Sequence, residues 1–309
     1  MVRVDLDRIR RNVEDVRQRI GRSELHAVVK ADAYGLGARR IARALRDLVD
    51  GFVVFYASEA ADAGLPALGK PILSLGPTDP EAGLVHGVRP TVWTVEQAAA
   101  LRGARPVLSV DTGMQRFGCP PEQVEAALAA GGCAEAFTHA TRVEAARELV
   151  KLLGGRGLRL HAAGSALLDE PEAHLDLVRP GLALYRGTVS VSAPLVEVHE
   201  TRGPAGYTGF SARRHGVILA GYSNGLRPGP CLVAGVRCRI VEVGMQTAFV
   251  DLGDGGAVGA RVTLLGPDEG GSVRISEEDV AREWRCTPHE ALTRLARMGH
   301  VEYSPPNEM

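Results

Sequence analysis

From about residue 26 to 187, short runs of apolar and β-branched residues alternate with stretches of helical periodicity. Eight such runs fall at 26–30, 52–56, 71–75, 90–94, 106–111, 134–139, 159–163 and 182–185, the last with Val178-Arg179 leading into it. Between them, residues 39–48, 121–130 and 143–153 are amphipathic or alanine-rich. Eight β runs with interleaved helices predict an α/β fold of the TIM-like (β/α)8 barrel type. A doubly wound sheet uses fewer strands and often marks its first turn with GxGxxG, and here Gly35-Leu36-Gly37 lacks the third glycine. After about residue 188 the texture changes to closely spaced β segments at 189–198, 215–221, 238–243, 247–252 and 258–265, which predict a mostly β second domain. Ser276-Glu277-Glu278-Asp279 reads as a helix cap and Thr287-Pro288 as the opening of another helix, with Trp284 and Leu292 expected in the core. The expected division is a barrel over 1–187, with residues 1–10 pairing with the second domain, and a β-rich domain over 188–309.

Composition narrows the classes further. A chain of 309 residues suits a large barrel followed by a smaller domain. With 45% hydrophobic residues, 24% charged and a net charge of −1, it has the makings of a sizeable core. That balance gives no reason to expect nucleic acid or an anionic membrane as partner. The opening Met1-Val2-Arg3-Val4-Asp5-Leu6-Asp7 lacks the order of a signal peptide, and no apolar run nears the roughly 18 residues of a membrane span, so a cytoplasmic location is expected. Cys119, Cys133, Cys231, Cys238 and Cys286 are odd in number with no CxxC pair, which points to reduced structural thiols and to no metal site.

Functional residues of a barrel collect at the C-terminal ends of its strands, and Lys30 ends the first run. Alone, such a lysine is an ordinary snorkelling side chain. Its surroundings, Val29-Lys30-Ala31-Asp32-Ala33-Tyr34-Gly35-Leu36-Gly37, resemble the lysine-bearing signature of the alanine racemase family, fold-type III enzymes that use pyridoxal phosphate. Val4-Asp5-Leu6-Asp7-Arg8-Ile9, followed by Asn12-Val13, is similar to the segment preceding the barrel in that family. The resemblance continues in order through Asp111-Thr112-Gly113-Met114-Gln115-Arg116-Phe117-Gly118, Phe137-Thr138-His139, His161-Ala162-Ala163-Gly164-Ser165 and Val178-Arg179-Pro180-Gly181-Leu182-Ala183-Leu184-Tyr185. In the second domain it takes in Ala205-Gly206-Tyr207-Thr208-Gly209, Gly221-Tyr222-Ser223-Asn224-Gly225 and Met245.

The resemblance implies a role for each of these residues. Lys30 would bind pyridoxal phosphate covalently, with His139 against its ring and Arg179 at its pyridine nitrogen. Tyr34, Tyr303, Ser165, Gly181 and Leu182 would hold its phosphate, as expected of loops after the last barrel strands. Arg116 would hold the carboxylate of an amino-acid substrate, with His161 supporting the substrate side. Tyr207 would be a second catalytic base, and Tyr207, Tyr222 and Met245 would enter the site of the other subunit in a head-to-tail homodimer with shared active sites. Taken one at a time, Arg116 would pass for a surface ion pair, Ser165 and Gly181 for turn residues, and Tyr207 and Tyr222 for packing residues.

The implied reaction is racemisation, L-alanine to D-alanine. It needs one base on each face of the α-carbon, and Lys30 and Tyr207 form a sufficient pair. Both have reference pKa values of about 10, so each must be perturbed to act near neutrality, with Arg179 and His161 as tuners of Tyr207. An arginine at the pyridine nitrogen, almost never able to give up a proton, leaves that nitrogen unprotonated.

Three departures bear on the substrate. A lysine common in the family two positions before Asp111 is Ser109 here, so Arg116 must be oriented another way. Cys-Met-Asp is replaced by Gly244-Met245-Gln246, and Ala-Asp-Gly by Ser223-Asn224-Gly225. These changes predict a roomier, less acidic pocket and leave open serine, lysine, ornithine or a secondary-metabolism substrate. The decarboxylases that share this barrel carry a Cys-Glu-Ser-x-Asp type motif that is absent here. A non-catalytic pyridoxal-phosphate carrier would resemble the barrel alone, and a purely structural module has little to support it.

Overall fold

The computed structural model of the chain describes residues 1–79, 85 and 87–305, in two compact units. One contains residues 10–33 and 37–184, and the other 1–9, 34–36 and 185–309. The chain enters through β1 (Val2–Asp5) and α1 (Leu6–Ile20). Leu6, Ile9, Val13, Val16 and Ile20 form the buried stripe of α1, spaced by three or four residues as one helix face requires.

The first unit is a closed barrel of eight parallel strands: β2 (Glu24–Val28), β3 (Gly51–Val54), β4 (Ile72–Ser74), β5 (Val88–Val92), β6 (Val107–Ser109), β7 (Glu135–Phe137), β8 (Arg159–Gly164) and β9 (Leu177–Arg179). Each strand pairs with the next, and Glu24 opposite Leu177 closes the ring. The intervening helices are α2 (Lys30–Gly35), α3 (Ala38–Leu45), α4 (Ala57–Asp62), α5 (Val95–Ala100), α6 (Val124–Gly131), α7 (Val143–Leu153) and, after β9, α8 (Leu182–Tyr185). Val92, Leu108, Ala136 and Leu160 from the strands pack with Ala98, Val124, Ala127, Leu149 and Leu153 from the helices in one buried cluster.

The eighth strand lies three residues before the apolar run of the sequence. Residues 182–185 are helical, and the strand is the lead-in Leu177–Arg179. Pro180 has no N–H to continue a ladder, and the Ser165 hydroxyl accepts the Gly181 and Ala183 N–H groups, which turns the chain into α8.

In the second unit, β10 (Val189–Glu200), β11 (Arg214–Ile218), β12 (Gly229–Val233), β13 (Val236–Val243), β14 (Ala248–Asp251), β15 (Arg261–Pro267), β16 (Arg274–Ile275) and β17 (Val301–Ser304) form one sheet with β1. Val189, Val191, Ala193 and Leu195 are buried at every second position of β10. A β10–β15 pairing closes six of the strands on themselves, while β1 runs antiparallel to β10 and parallel to β17, with Val4 opposite Tyr303. Ser276 and Asp279 exchange cap hydrogen bonds at the start of α9 (Glu277–Trp284), and the Thr287 hydroxyl accepts the Glu290 N–H at the start of α10 (Pro288–Leu295). Among the described residues no helix is long and apolar enough to cross a membrane.

Leu108 is fully buried in the barrel cluster. Leu108→Ala is expected to destabilise the chain by about 2–5 kcal/mol, seen as a lower urea midpoint for the barrel transition with an unchanged slope.

Candidate active site

The turn after β2 sets up the site. Ala31, Asp32, Ala33 and Tyr34 take φ of 53, 56, 51 and 63°, followed by Gly35 at 84°. The left-handed conformation costs roughly 1–2 kcal/mol for each L-residue, so the turn must be held by its neighbours. Val29 O accepts the Ala33 N–H at 2.8 Å, and Asp32 Oδ1 accepts the Ala38 N–H at 2.7 Å. Glu59 at the start of α4 accepts the Ala31 N–H through Oε1 and those of Phe55 and Tyr56 through Oε2. Lys30 thus leads from the strand into four consecutive left-handed non-glycine residues whose positions are fixed by these hydrogen bonds.

Burial lowers the Lys30 amine below its ordinary pKa, and the charges of Arg116 and Arg179 lower it further against the pull of Glu59. Arg116 sits in a loop after β6 that closes on itself: Asp111 Oδ1 accepts the Gly113 and Gln115 N–H groups, and Asp111 N–H donates to Cys119 O. Gln115 and Phe117 flank it at φ of 55 and 49°, and the Phe117 ring lies 5.0 Å from that of Trp93. Ser109, buried at the end of β6, accepts the Cys119 N–H through its backbone carbonyl. The loop therefore takes its shape from Asp111 and the aromatic contact. His139 is pushed down to about 4, first by burial and then by Arg179, Arg116 and Lys30, so its ring is neutral near pH 7.

Arg179, at the end of β9, is buried. Its guanidinium donates to Thr138 O at 2.9 Å and to His161 Nδ1, and its plane lies 4.6 Å from the centre of the Phe137 ring. Because a guanidinium only donates, Nδ1 is the accepting nitrogen of His161, and Nε2–H donates to Glu135 Oε1 at 2.9 Å. Glu135 Oε2 in turn accepts from Arg89 at 2.8 Å. The sequence places His161 on the substrate side, but the structure buries it completely and occupies both ring nitrogens, so it supports Arg179 instead.

The barrel unit thus holds Lys30, Arg116, His139, His161, Ser165, Arg179, Gly181 and Leu182. The remaining candidates belong to the second unit and form two groups. Tyr34 is buried against Tyr185, which pushes its phenol up to about 12, and the Tyr303 hydroxyl donates to Leu36 O at 2.8 Å. Tyr207, Tyr222 and Met245 form an exposed group: the Tyr222 N–H donates to Gly244 O, and a Cβ added at Gly244 would lie 3.5 Å from the Tyr207 ring. Sequence reasoning missed Glu59, Glu135 and Glu242. Glu135 left a faint signal, a lone carboxylate inside the apolar run Ala134-Glu135-Ala136-Phe137.

Residues 4–141 match the alanine racemase N-terminal domain and residues 204–303 the alanine racemase C-terminal domain. The alanine racemase of Aromatoleum aromaticum is 30% identical over 97% of this chain and 98% of its own length. The chain belongs to the alanine racemase family. The biosynthetic alanine racemase of Pseudomonas aeruginosa shares its fold at a TM-score of 0.86 and 27% identity, over 98% of this chain and 99% of that one. An alanine racemase structure from Bartonella henselae with covalently bound pyridoxal phosphate has the same fold at a TM-score of 0.86 and 24% identity, over 98% of this chain and 99% of that one. The alignment to the Aromatoleum enzyme runs over 359 positions, more than the 309 residues here, so that relative carries insertions that this alanine racemase homologue lacks.

His139 stays neutral in the folded chain down to about pH 4, whereas unfolded it takes up a proton near 6.5. The unfolded state binds more protons in that window, so His139 makes stability rise with pH across it, an effect that solvent screens because the side chain is exposed. Denaturant unfolding between pH 4 and 7 is expected to show a shallower rise for His139→Gln than for the native chain.

Proposed function

We propose that the protein is a pyridoxal-phosphate-dependent alanine racemase that interconverts L-alanine and D-alanine with Lys30 and Tyr207 as its two bases. The observation that carries this reading is the mutual electrostatic reach of Lys30, Arg116, His139 and Arg179 at one end of the barrel, with the lysine amine held below its ordinary pKa. The donor set suits the cofactor: a lysine able to be neutral, an imidazole that stays neutral, a buried guanidinium, and a Ser165 hydroxyl set among turn N–H groups. Lys30 would hold it covalently, His139 and Arg179 would contact its ring, and Ser165, Gly181, Leu182, Tyr34 and Tyr303 would bind its phosphate. Pyridoxal phosphate, when bound, supplies an electron sink for the α-carbon of the amino acid.

The protein's own groups supply position and proton transfer. Arg116 pairs with the substrate carboxylate and orients the α-carbon. The neutral Lys30 amine takes or returns the α-proton on one face. Arg179, kept charged by its acceptors, would face the cofactor ring only as a donor. The opposite face needs a second base, and Tyr207 is exposed in its own chain, as a side chain that serves another subunit would be. The proposal therefore includes a homodimer in which Tyr207, Tyr222 and Met245 of the partner subunit complete each site. The free cysteines agree with a reducing, cytoplasmic location.

A larger substrate is the second reading, favoured by Gly244. It leaves the Tyr207 ring without a neighbouring side chain at a point where a Cβ would meet only ordinary van der Waals contacts of 3.4–3.5 Å.

Lys30→Ala is expected to lose the visible absorbance of bound cofactor and all racemisation, while Tyr207→Phe keeps the absorbance and loses turnover. Mixing the two inactive variants under conditions of subunit exchange should restore about a quarter of native activity, because half the dimers are mixed and each has one intact site. No recovery in mixed dimers would reject the shared site. Assayed against a panel of L-amino acids, the native protein is expected to turn over alanine, and faster turnover of a larger side chain would select the second reading.

A further inference from the structure

Glu242 stands near the end of β13, where a bulge between Ile240 and Glu242 breaks the pairing register with β14. Bulges re-aim side chains, and this one sets Glu242 opposite Phe249. The residue is buried, and a buried carboxylate needs hydrogen-bond partners. It takes them from two consecutive residues of the loop between β10 and β11. Oε1 accepts the Tyr207 N–H at 2.7 Å, and Oε2 accepts the Thr208 N–H at 2.8 Å together with the Thr208 hydroxyl. Among the described residues no lysine or arginine pairs with it. Although burial raises its pKa, those three hydrogen bonds lower it more, so the ionised form is favoured.

The rest of the loop is built around this contact. Ala205 N–H donates to Phe210 O at 3.0 Å, which closes the turn, and the Phe210 ring packs 5.2 Å from Phe249 and edge-on to His215 at 5.5 Å. Gly206 has φ of +70°, and a Cβ there would lie 2.5 Å from Glu242 Oε1, so only glycine lets the backbone come this close. The backbone of the loop is thus gripped on both sides of Tyr207, whereas the tyrosine side chain is 83% exposed. An exposed side chain on a fixed backbone is what a proton-transfer group reaching into another site requires, since only its ring torsions remain to be set.

We propose that Glu242 is a positioning residue for Tyr207: its carboxylate fixes the tyrosine backbone so that the phenol is presented at a constant height. The proposal rests on reading Tyr207 as the second base. Glu242 touches neither cofactor nor substrate and acts through the loop alone.

The test compares holoenzyme of the native chain, Glu242→Gln, Glu242→Asp and Tyr207→Phe. Each is measured for kcat and KM with both enantiomers of alanine and for α-proton exchange in D2O. Glu242→Gln places an amide NH2 against backbone donors and is expected to lower kcat about 10–100-fold with KM little changed. The enantiomer deprotonated by Lys30 should keep its exchange rate, while exchange from the opposite enantiomer falls with kcat. Glu242→Asp keeps the charge and should recover part of the loss. An unchanged kcat in Glu242→Gln, or equal loss of exchange from both enantiomers, would overturn the proposal. Normal exchange from both enantiomers in Tyr207→Phe would instead reject Tyr207 as a base, whatever Glu242→Gln does.

Discussion

A charged guanidinium inside a barrel loses its hydration, at a cost on the order of several kcal/mol, and persists only if every neighbour is arranged to accept from it. Arg179 meets that condition through Thr138 O and His161 Nδ1, and the demand then passes down the chain of contacts. His161 must keep its proton on Nε2, so it needs an acceptor there, and Glu135 provides it. Glu135 is itself buried and is balanced by Arg89 and Arg159, which stand with it at the N-terminal ends of their strands. One cation at the site thus dictates the polar interior of β5, β7, β8 and β9. Burial lowers both Lys30 and His139, and the same cation adds to the lowering of each.

Backbone strain is used in the same economical way. The left-handed turn after Lys30 and the left-handed residues either side of Arg116 occur at two loops that carry charged candidates, and each is held by an acidic side chain accepting backbone N–H groups. Glu59, Asp111 and Glu242 perform this task in three different loops. A carboxylate suits it because two oxygens can each take more than one donor, which fixes several residues of a loop to one point on a rigid element.

The barrel was legible because buried parallel strands read as continuous apolar runs, whichever face they present. The eighth strand was displaced because Leu177-Val178-Arg179 is short and ends in a charge, while Leu182-Ala183-Leu184-Tyr185 is the more apolar run. β12 was hidden by Gly229-Pro230, and β17 by its mixture of polar residues. At the site, residues within contiguous motifs stood out: Lys30 with its glycines, and Arg116 after Asp-Thr-Gly. Glu135 and Glu242 did not, since they act on partners 26 and 35 positions away, and Glu59 shows in the sequence only its local cap on Phe55 and Tyr56, not its bond to Ala31 28 positions away. His161 was visible as a residue but not in its role, which only its two occupied nitrogens reveal.

The parallel pairing of β1 with β17 ties the first strand of the chain to the last described one. During synthesis the strands of the barrel emerge long before β17, so the barrel can close while Val2–Asp5 still lacks one neighbour. The sheet of the second unit acquires that edge only after β17, which follows all eight barrel strands, has been made. Pairing at such sequence separation is slow, because the loop entropy is lost before the contact repays it. The Lys30 strand is therefore synthesised well ahead of the Tyr303 strand, and β1 can gain its parallel neighbour only after the barrel strands have emerged.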